Sequence, residues 1–474
     1  MKRHISLEEV VKNQYPNFIL RQTPLLFWAL LSLICISAAT AQENNPSSTR
    51  IGSAAKEKVI YNFMNSPDAN YPKSGLISDG AGNFYGAAGG GPYSWGTVYE
   101  LSPRSGGGWK GTVLHSFQDN DPYGYIPIAI ILDGSGNIYG SAELGGTYGL
   151  GTIFELSPQA GGSWAVKNLY SFGSKPGDGS NPDSIILDNV GHIYGATLGD
   201  IDDCNSIDGT CGTVFKLSEQ NGDWTESVLY SFQSLNDGID PIGLTVDSAE
   251  NIYGITAAGG VSGSCDFNGG KGCGTVFELS PQSGGAWQEN LIYKFPKDGS
   301  QGIFPSGGPV LDPNGNLYGT TSEGGVGCTT MCEGTTFELS PVNGKWIHKV
   351  LHTFQTQSTD GYAPYGAVTL DEAGDLFSTT MYGGGGQCVD FVNPSLPSAN
   401  VVGCGIVYEL SRMAGKGWVE NILHSFKYSP HDGARPLAGI TFGPHGNIYG
   451  TTNEGGDYTC GDGYNCGTVF ELKW

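Results

Sequence analysis

Basic residues are scarce: 23 Lys and Arg stand against 46 Asp and Glu in 474 residues, for a formal charge of −23. That deficit excludes the basic patch that supplies affinity for nucleic acid or anionic membrane. Helical periodicity is nearly missing after residue 42, and so is any apolar run of the roughly 20 residues that a membrane-spanning helix needs. H-E-x-x-H, G-x-S-x-G and Walker-type loops are absent, which removes the usual sequence warrants for a zinc protease, a serine hydrolase or a nucleotide-binding enzyme. C-x-x-C is absent too, and with it the redox motif.

What is abundant is glycine, at 76 residues, together with 11% aromatics. The aromatics can build a large core while the glycines mark many turns, so the composition is that of an all-β protein.

The first 41 residues differ from the rest. Lys2, Arg3, Lys12 and Arg21 precede the 12-residue run Leu25 to Ile36, and Ala39-Thr40-Ala41 supplies small residues. This is the pattern of an export signal cleaved before Gln42, with Cys35 leaving in it. An uncleaved amino-terminal anchor is the alternative. The mature chain of 433 residues would carry 19 basic and 44 acidic residues, or −25. Residues 42–57 read as a short linker and 58–474 as one repeat domain.

The repeat is anchored on NFYG at 83, NIYG at 137, HIYG at 192, NIYG at 251, NLYG at 316, DLFS at 375 and NIYG at 447. Its spacings, 54 to 72 residues, are those of propeller blades with loop insertions. Each copy holds four short strand-like runs, A to D. Between A and B lies a turn such as DGSGN or DPNGN, in which Asp79, Asp133, Asp188, Asp247, Asp312 and Asp371 act as turn formers. One Trp opens strand D in six copies (Trp109, Trp164, Trp224, Trp287, Trp346, Trp418), and six equivalent positions favour packing between sheets over carbohydrate stacking.

Counting strands exposes a mismatch. There are seven A, B and C runs, but GTVFELKW at 467–474 has no D run after it, while KVIYNF at 58–63 has the form of a D run and closes nothing before it. Joined, they complete a seventh blade. The expected fold is therefore a seven-bladed β-propeller of four-stranded blades whose last blade is closed by an N-terminal strand, leaving no unmatched outer strand there.

These residues are similar to a known pattern. D-x-x-G-N-[IL]-Y-G-T-T followed by G-T-V-F-E-L-S and V-L-Y-S-F, best seen in DPNGNLYGTT with GTTFELS, resembles the GloVer tandem repeat of secreted bacterial proteins with a choice of anchor. The resemblance runs over 58–474 and implies an exported protein with no established catalysis. The sequence ends within its seventh repeat, so the carboxy-terminal sorting segment of such proteins is not expected. A more distant similarity to NHL and gluconolactonase-type propellers implies the fold alone.

Ten cysteines remain after the signal, one pair in the B–C loop of each of the last five units: Cys204 and Cys211, Cys265 and Cys273, Cys328 and Cys332, Cys388 and Cys404, Cys460 and Cys466. An even count in an exported chain predicts disulfides, paired locally. Zinc is the weaker alternative, because each loop offers two thiols where a tetrahedral site needs four ligands.

No catalytic, cofactor-binding or metal residue is assigned from sequence. His115, His352 and His424 occupy the D-strand position held elsewhere by Tyr61, Tyr170, Tyr230 and Tyr293, so they read as members of an aromatic row. The D–A loops share D-G-x-x-P, beginning at Asp178, Asp237, Asp360 and Asp432, with looser forms at Asp68, Asp121 and Asp298. Turn chemistry is the first reading. A ring of carboxylates around the channel mouth, holding Ca²⁺ or a cationic ligand, is the sharper one. The expected function is a secreted, monomeric binding or surface-interaction module for an extracellular glycan or protein. The rival is an extracellular propeller enzyme (lactonase, lyase or glycoside hydrolase) acting at the channel mouth.

Overall fold

The computed structural model describes residues 55–474 apart from 65, 200–203, 205–210, 261–264, 266–271, 327–331, 356–358, 389–401, 429–430 and 461–464. Residues from Ala54 to Trp474 form one compact unit. The segment expected to be an export signal and most of the expected linker lie outside the described residues.

The unit is a seven-bladed propeller of antiparallel sheets. Blade 2 is typical, with A at Tyr125–Leu132, B at Ile138–Leu144, C at Thr152–Pro158 and D at Trp164–Ser171, paired in that order. Strand A is innermost, because A-strand segments of all seven blades line a single central cavity. In blade 7 the order is Thr441–Phe442, Ile448–Thr452, Thr468–Lys473 and then Lys56–Asn62. The amino-terminal strand is thus the seventh D strand. It pairs from Lys56↔Lys473 to Asn62↔Thr468, beginning two residues earlier than KVIYNF.

Every D strand carries a β-bulge at the same place, between the residue pairs Val98/Tyr99, Ile153/Phe154 and their equivalents in strand C. The extra residue is the Leu or Ile of V-L-H-S-F. A bulge re-aims the side chains that follow it. Here these are a Tyr or His and then, two residues on, a Phe, which meet edge to face in each blade, as in Tyr170–Phe172 at 5.1 Å.

That Phe reaches into the next blade and meets an aromatic of its strand C. Seven such contacts encircle the ring, from Phe63–Tyr99 to Phe426–Phe470, with centroids 5.1–5.4 Å apart. The D-strand Trp reaches the other way, to the strand-B Tyr of the preceding blade, as in Trp164–Tyr85, Trp224–Tyr139 and Trp287–Tyr194. The six copies lie 6.1–6.4 Å apart. Buried aromatic pairs contribute about 0.5–1.5 kcal/mol each beyond the area they cover. The tryptophans are therefore packing elements between sheets. Blade 7 has no Trp on its closing strand, and there Phe377 of blade 6 meets Phe442 at 5.2 Å.

A second seven-fold device joins the blades through backbone. The residue before each D–A loop proline (Tyr71, Ile126, Asn181, Asp240, Phe304, Ala363, Arg435) has φ between 52° and 59°. This left-handed conformation is costly for Ile or Phe. Its amide donates to a carbonyl at the end of the preceding blade's B–C loop, at 2.7–3.0 Å in all seven copies. The proline then sits on the Gly that opens strand C of that preceding blade. At Gly96, Gly151, Gly212, Gly274, Gly334, Gly405 and Gly467 φ is 91–106°. A Cβ there would meet the proline Cδ at 2.2–2.8 Å. Only glycine suits a position with both positive φ and so close a neighbour.

Four of the expected disulfides are present: Cys204–Cys211, Cys265–Cys273, Cys388–Cys404 and Cys460–Cys466, with Cα separations of 4.6–5.5 Å. The pairing of Cys328 with Cys332 falls outside the described residues. In each of the four, the second cysteine supplies the carbonyl that accepts the latch hydrogen bond. The disulfides brace the contact between blades as well as the loop that holds them.

Candidate functional site

The recurring aspartates separate into two structural roles. In the A–B turns, Asp133 Oδ1 accepts from the amides of Ser135 and Asn137 at 2.8 Å, and Asp79, Asp188, Asp247, Asp312 and Asp371 repeat the arrangement. They are turn formers. Asp188 also accepts from His192, so its carboxyl lies below the usual range although burial opposes this.

The D–A aspartates do not ring the channel mouth. They lie over the outer strand, because each accepts from the amides of its own loop and faces the aromatic row. Asp178 takes amides of Gly173 and Ser174 and the hydroxyl of Tyr170 at 2.7 Å. Asp68 takes the Tyr61 hydroxyl at 2.8 Å and Asp237 that of Tyr230 at 3.1 Å. Asp360 and Asp432 meet the Nε2 atoms of His352 and His424, each at 3.2 Å. The histidines are members of the aromatic row, and their polar edge anchors the loop. His348 lies inside a D strand and stacks on Tyr293 at 4.3 Å, where burial lowers its pKa to about 4.

One position was not singled out from sequence. The second residue after the D-strand Trp stands at Gly111, Val166, Glu226, Glu289, His348 and Glu420, and Glu57 holds the same place in the closing strand. At the Glu and His positions the side chain turns to the D-strand Tyr or His of the preceding blade. Between blades 2 and 3, Lys175 neutralises Glu226 at 2.6 Å. Between blades 5 and 6, Glu420 Oε1 is 3.8 Å from His352 Nε2. Reading that column of the repeat against the Tyr/His column one blade earlier would have revealed the pairing.

The axial cavity holds about 410 Å³. The residue after six of the seven latch prolines turns toward it, placing Ile128, Asp183, Ile242, Ser306, Tyr365 and Leu437 around the wall with a belt of glycines and alanines. Asp183 is the carboxylate among these lining residues, and burial, with Glu143 and Asp240 adding to it, raises its pKa to about 6. Among the described residues no histidine lines the cavity.

The two rims differ sharply. On the rim formed by the B–C and D–A loops stand Tyr93, Trp95, Tyr148, Tyr365, Tyr428 and Tyr458, each between 37% and 54% exposed. Among the described residues the exposed large apolar groups of the opposite rim are Val190, Val342 and Ile347, without an aromatic. On the aromatic rim an open groove of about 450 Å³ lies on blade 2, between the D–A loop that enters the blade and the blade's own B–C loop and strand D, with Tyr123, Tyr148, Asn168, Tyr170, Ser171 and Ser174 in its wall. Exposed rings beside amide and hydroxyl groups form a surface that can stack on a ligand and hydrogen-bond to it.

Among solved structures, Kuenenia stuttgartiensis hydrazine synthase is similar at 11% identity and TM-score 0.50, covering 81% of this chain and 93% of that one. A Bacteroides uniformis protein assigned as a 6-phosphogluconolactonase matches at 13% identity and TM-score 0.46, over 81% and 98%. A protein assigned as a gluconolactonase matches at 10% and 0.40, over 89% and 92%. At such identities the likeness concerns the fold alone. No curated protein sequence matches the chain. The family model of the Gloeobacter/Verrucomicrobia repeat matches residues 38–267, which reach from the closing strand into blade 4.

Proposed function

We propose that this protein is an exported binding module whose ligand surface is the rim of B–C and D–A loops, and whose ligand is a glycan or an extracellular protein. The observation that carries the reading is the concentration of exposed aromatic side chains on that one rim. A rigid scaffold that displays varied loops is a common basis for recognition. Four disulfides in the B–C loops suit an oxidising compartment and hold the surface in shape. Among the described residues no helix is long and apolar enough to cross a membrane. An acidic surface favours a neutral or cationic partner over nucleic acid.

Asp183 favours a second reading, an enzyme acting at the axis, since a buried carboxyl with a raised pKa is a usable general acid. A glycan and polysaccharide binding array, run beside hydrolysis assays on the same panel, tests both. Binding without turnover, lost on Tyr123→Ala and Tyr148→Ala, supports the module. Turnover abolished by Asp183→Asn supports the enzyme. Neither binding nor turnover across glycans and candidate extracellular proteins rejects both.

A further inference from the structure

At two adjacent blade junctions the outer strands bring an imidazole and two carboxylates to one point. The first group is His352 of blade 5, Asp360 of the loop that follows it, and Glu420 of blade 6. The second is His424 of blade 6, Asp432 of the following loop, and Glu57 of the closing strand. In each group one ligand atom per residue lies within 4.8 Å of the others. We propose that these are two metal sites, each taking a divalent transition-metal ion of the Zn²⁺ class and stapling neighbouring blades together.

The geometry fits the ion. Two ligands each about 2.0–2.1 Å from a tetrahedral centre lie about 3.3 Å apart. His352 Nε2 is 3.2 Å from Asp360 Oδ2 and 3.8 Å from Glu420 Oε1, and His424 Nε2 is 3.2 Å from Asp432 Oδ1. An imidazole among the donors selects a transition metal over Ca²⁺, which takes oxygen ligands. Three protein ligands leave one corner of a tetrahedron for water.

Glu57 Oε1 and Glu420 Oε1 are buried atoms that accept no hydrogen bond; Glu289 Oε1 shares this, but of the three only the first two stand beside both an imidazole and a second carboxylate. A cation between the two carboxylates of each group offsets the repulsion of like charges held this close. Between blades 2 and 3 the row carries Tyr170 in place of His, and a lysine supplies the positive charge to Glu226. Where the row carries His and the next blade carries Glu, the positive charge has to come from outside the chain or from a proton.

The test uses the whole mature chain, dialysed against EDTA and then titrated with Zn²⁺, with bound metal counted by mass spectrometry and the melting temperature followed in parallel. Two ions per chain are expected, one in Glu420→Gln and none in Glu57→Gln/Glu420→Gln. Glu289→Gln, whose partner in the row is Tyr230, serves as the control and should retain both. Zn²⁺ should raise the melting temperature of the native chain and leave that of the double variant unchanged. Circular dichroism on each variant separates loss of a ligand from loss of fold, and His352→Gln provides a second route should Glu420→Gln not fold. No bound Zn²⁺, two ions retained by the folded double variant, or tighter binding of Ca²⁺ than of Zn²⁺ would overturn the assignment.

Discussion

The amide of Tyr71 donates a 3.0 Å hydrogen bond to the carbonyl of Cys466, tying the entry to blade 1 to the loop of the last blade. The same bond recurs at every blade junction, so the seam where the ring closes is built like any other. Phe63 confirms this from the closing strand, packing on Tyr99 of blade 1 at 5.1 Å.

Closure by the amino-terminal strand makes Phe63 a full member of the core. It is 1% exposed, and Phe172, its equivalent in blade 2, is fully buried. Phe63→Ala and Phe172→Ala should each destabilise the protein by about 3–5 kcal/mol, measured by denaturant titration. A Phe63 variant of native stability would mean that the ring does not depend on its seam. Deleting residues 42–64 should abolish cooperative unfolding altogether.

The latch glycines predict a cost confined to their position in the repeat. At Gly212, φ is 106° and a Cβ would meet Pro241 Cδ at 2.3 Å. Gly212→Ala should lower stability by at least the roughly 1–2 kcal/mol of the left-handed backbone, with the clash adding to it. Gly161→Ala tests the backbone cost alone, because it has φ of 91° but nothing within 4 Å. The difference in melting temperature between the two variants isolates the contact with the neighbouring proline.

Reduction of the disulfides should loosen the loop rim before it unfolds the ring. Each loop is short, with separations of 6 to 16 residues, so the chain-entropy contribution is about 2–3 kcal/mol per bridge. Hydrogen exchange with and without reductant should show faster exchange at the latch amides of Asp240, Phe304, Arg435 and Tyr71. The equivalent amides of Ile126 and Asn181, whose partner loops hold no cysteine, should be unchanged.

Buried carboxyls set a pH dependence with a definite sign. Burial raises Glu57 and Glu333 to about 7 and Asp183 to about 6. The native chain therefore holds protons that the unfolded chain has already released between about pH 4 and 7, so stability declines as pH rises through that window. His348 acts the other way. Its lowered pKa means that stability is lost as pH falls from about 6.5 toward 4. In EDTA the melting temperature should be highest in mildly acidic buffer, and Glu333→Gln should flatten its fall toward pH 8.

The fold was legible because repetition turns a weak local signal into a strong one. A single NIYG run is ambiguous, whereas seven in register, with seven C runs and one displaced D run, leave one way to close the sheet. The local disulfides followed from the same reasoning, since each pair shares one loop. Turn chemistry identified the A–B aspartates, whose partners lie within four residues.

Contacts between blades were hidden for a physical reason: they join positions some 60 residues apart, and no local pattern states which columns of the repeat will face each other. Sequence composition and periodicity determined that this chain is a ring of seven β-sheets, because alternation, glycine turns and strand count are properties of short segments. Only the tertiary structure decided that Glu57, near the start of the chain, would stand beside His424 and Asp432, near its end. That meeting requires the ring to close, and closure is a property of all seven blades at once.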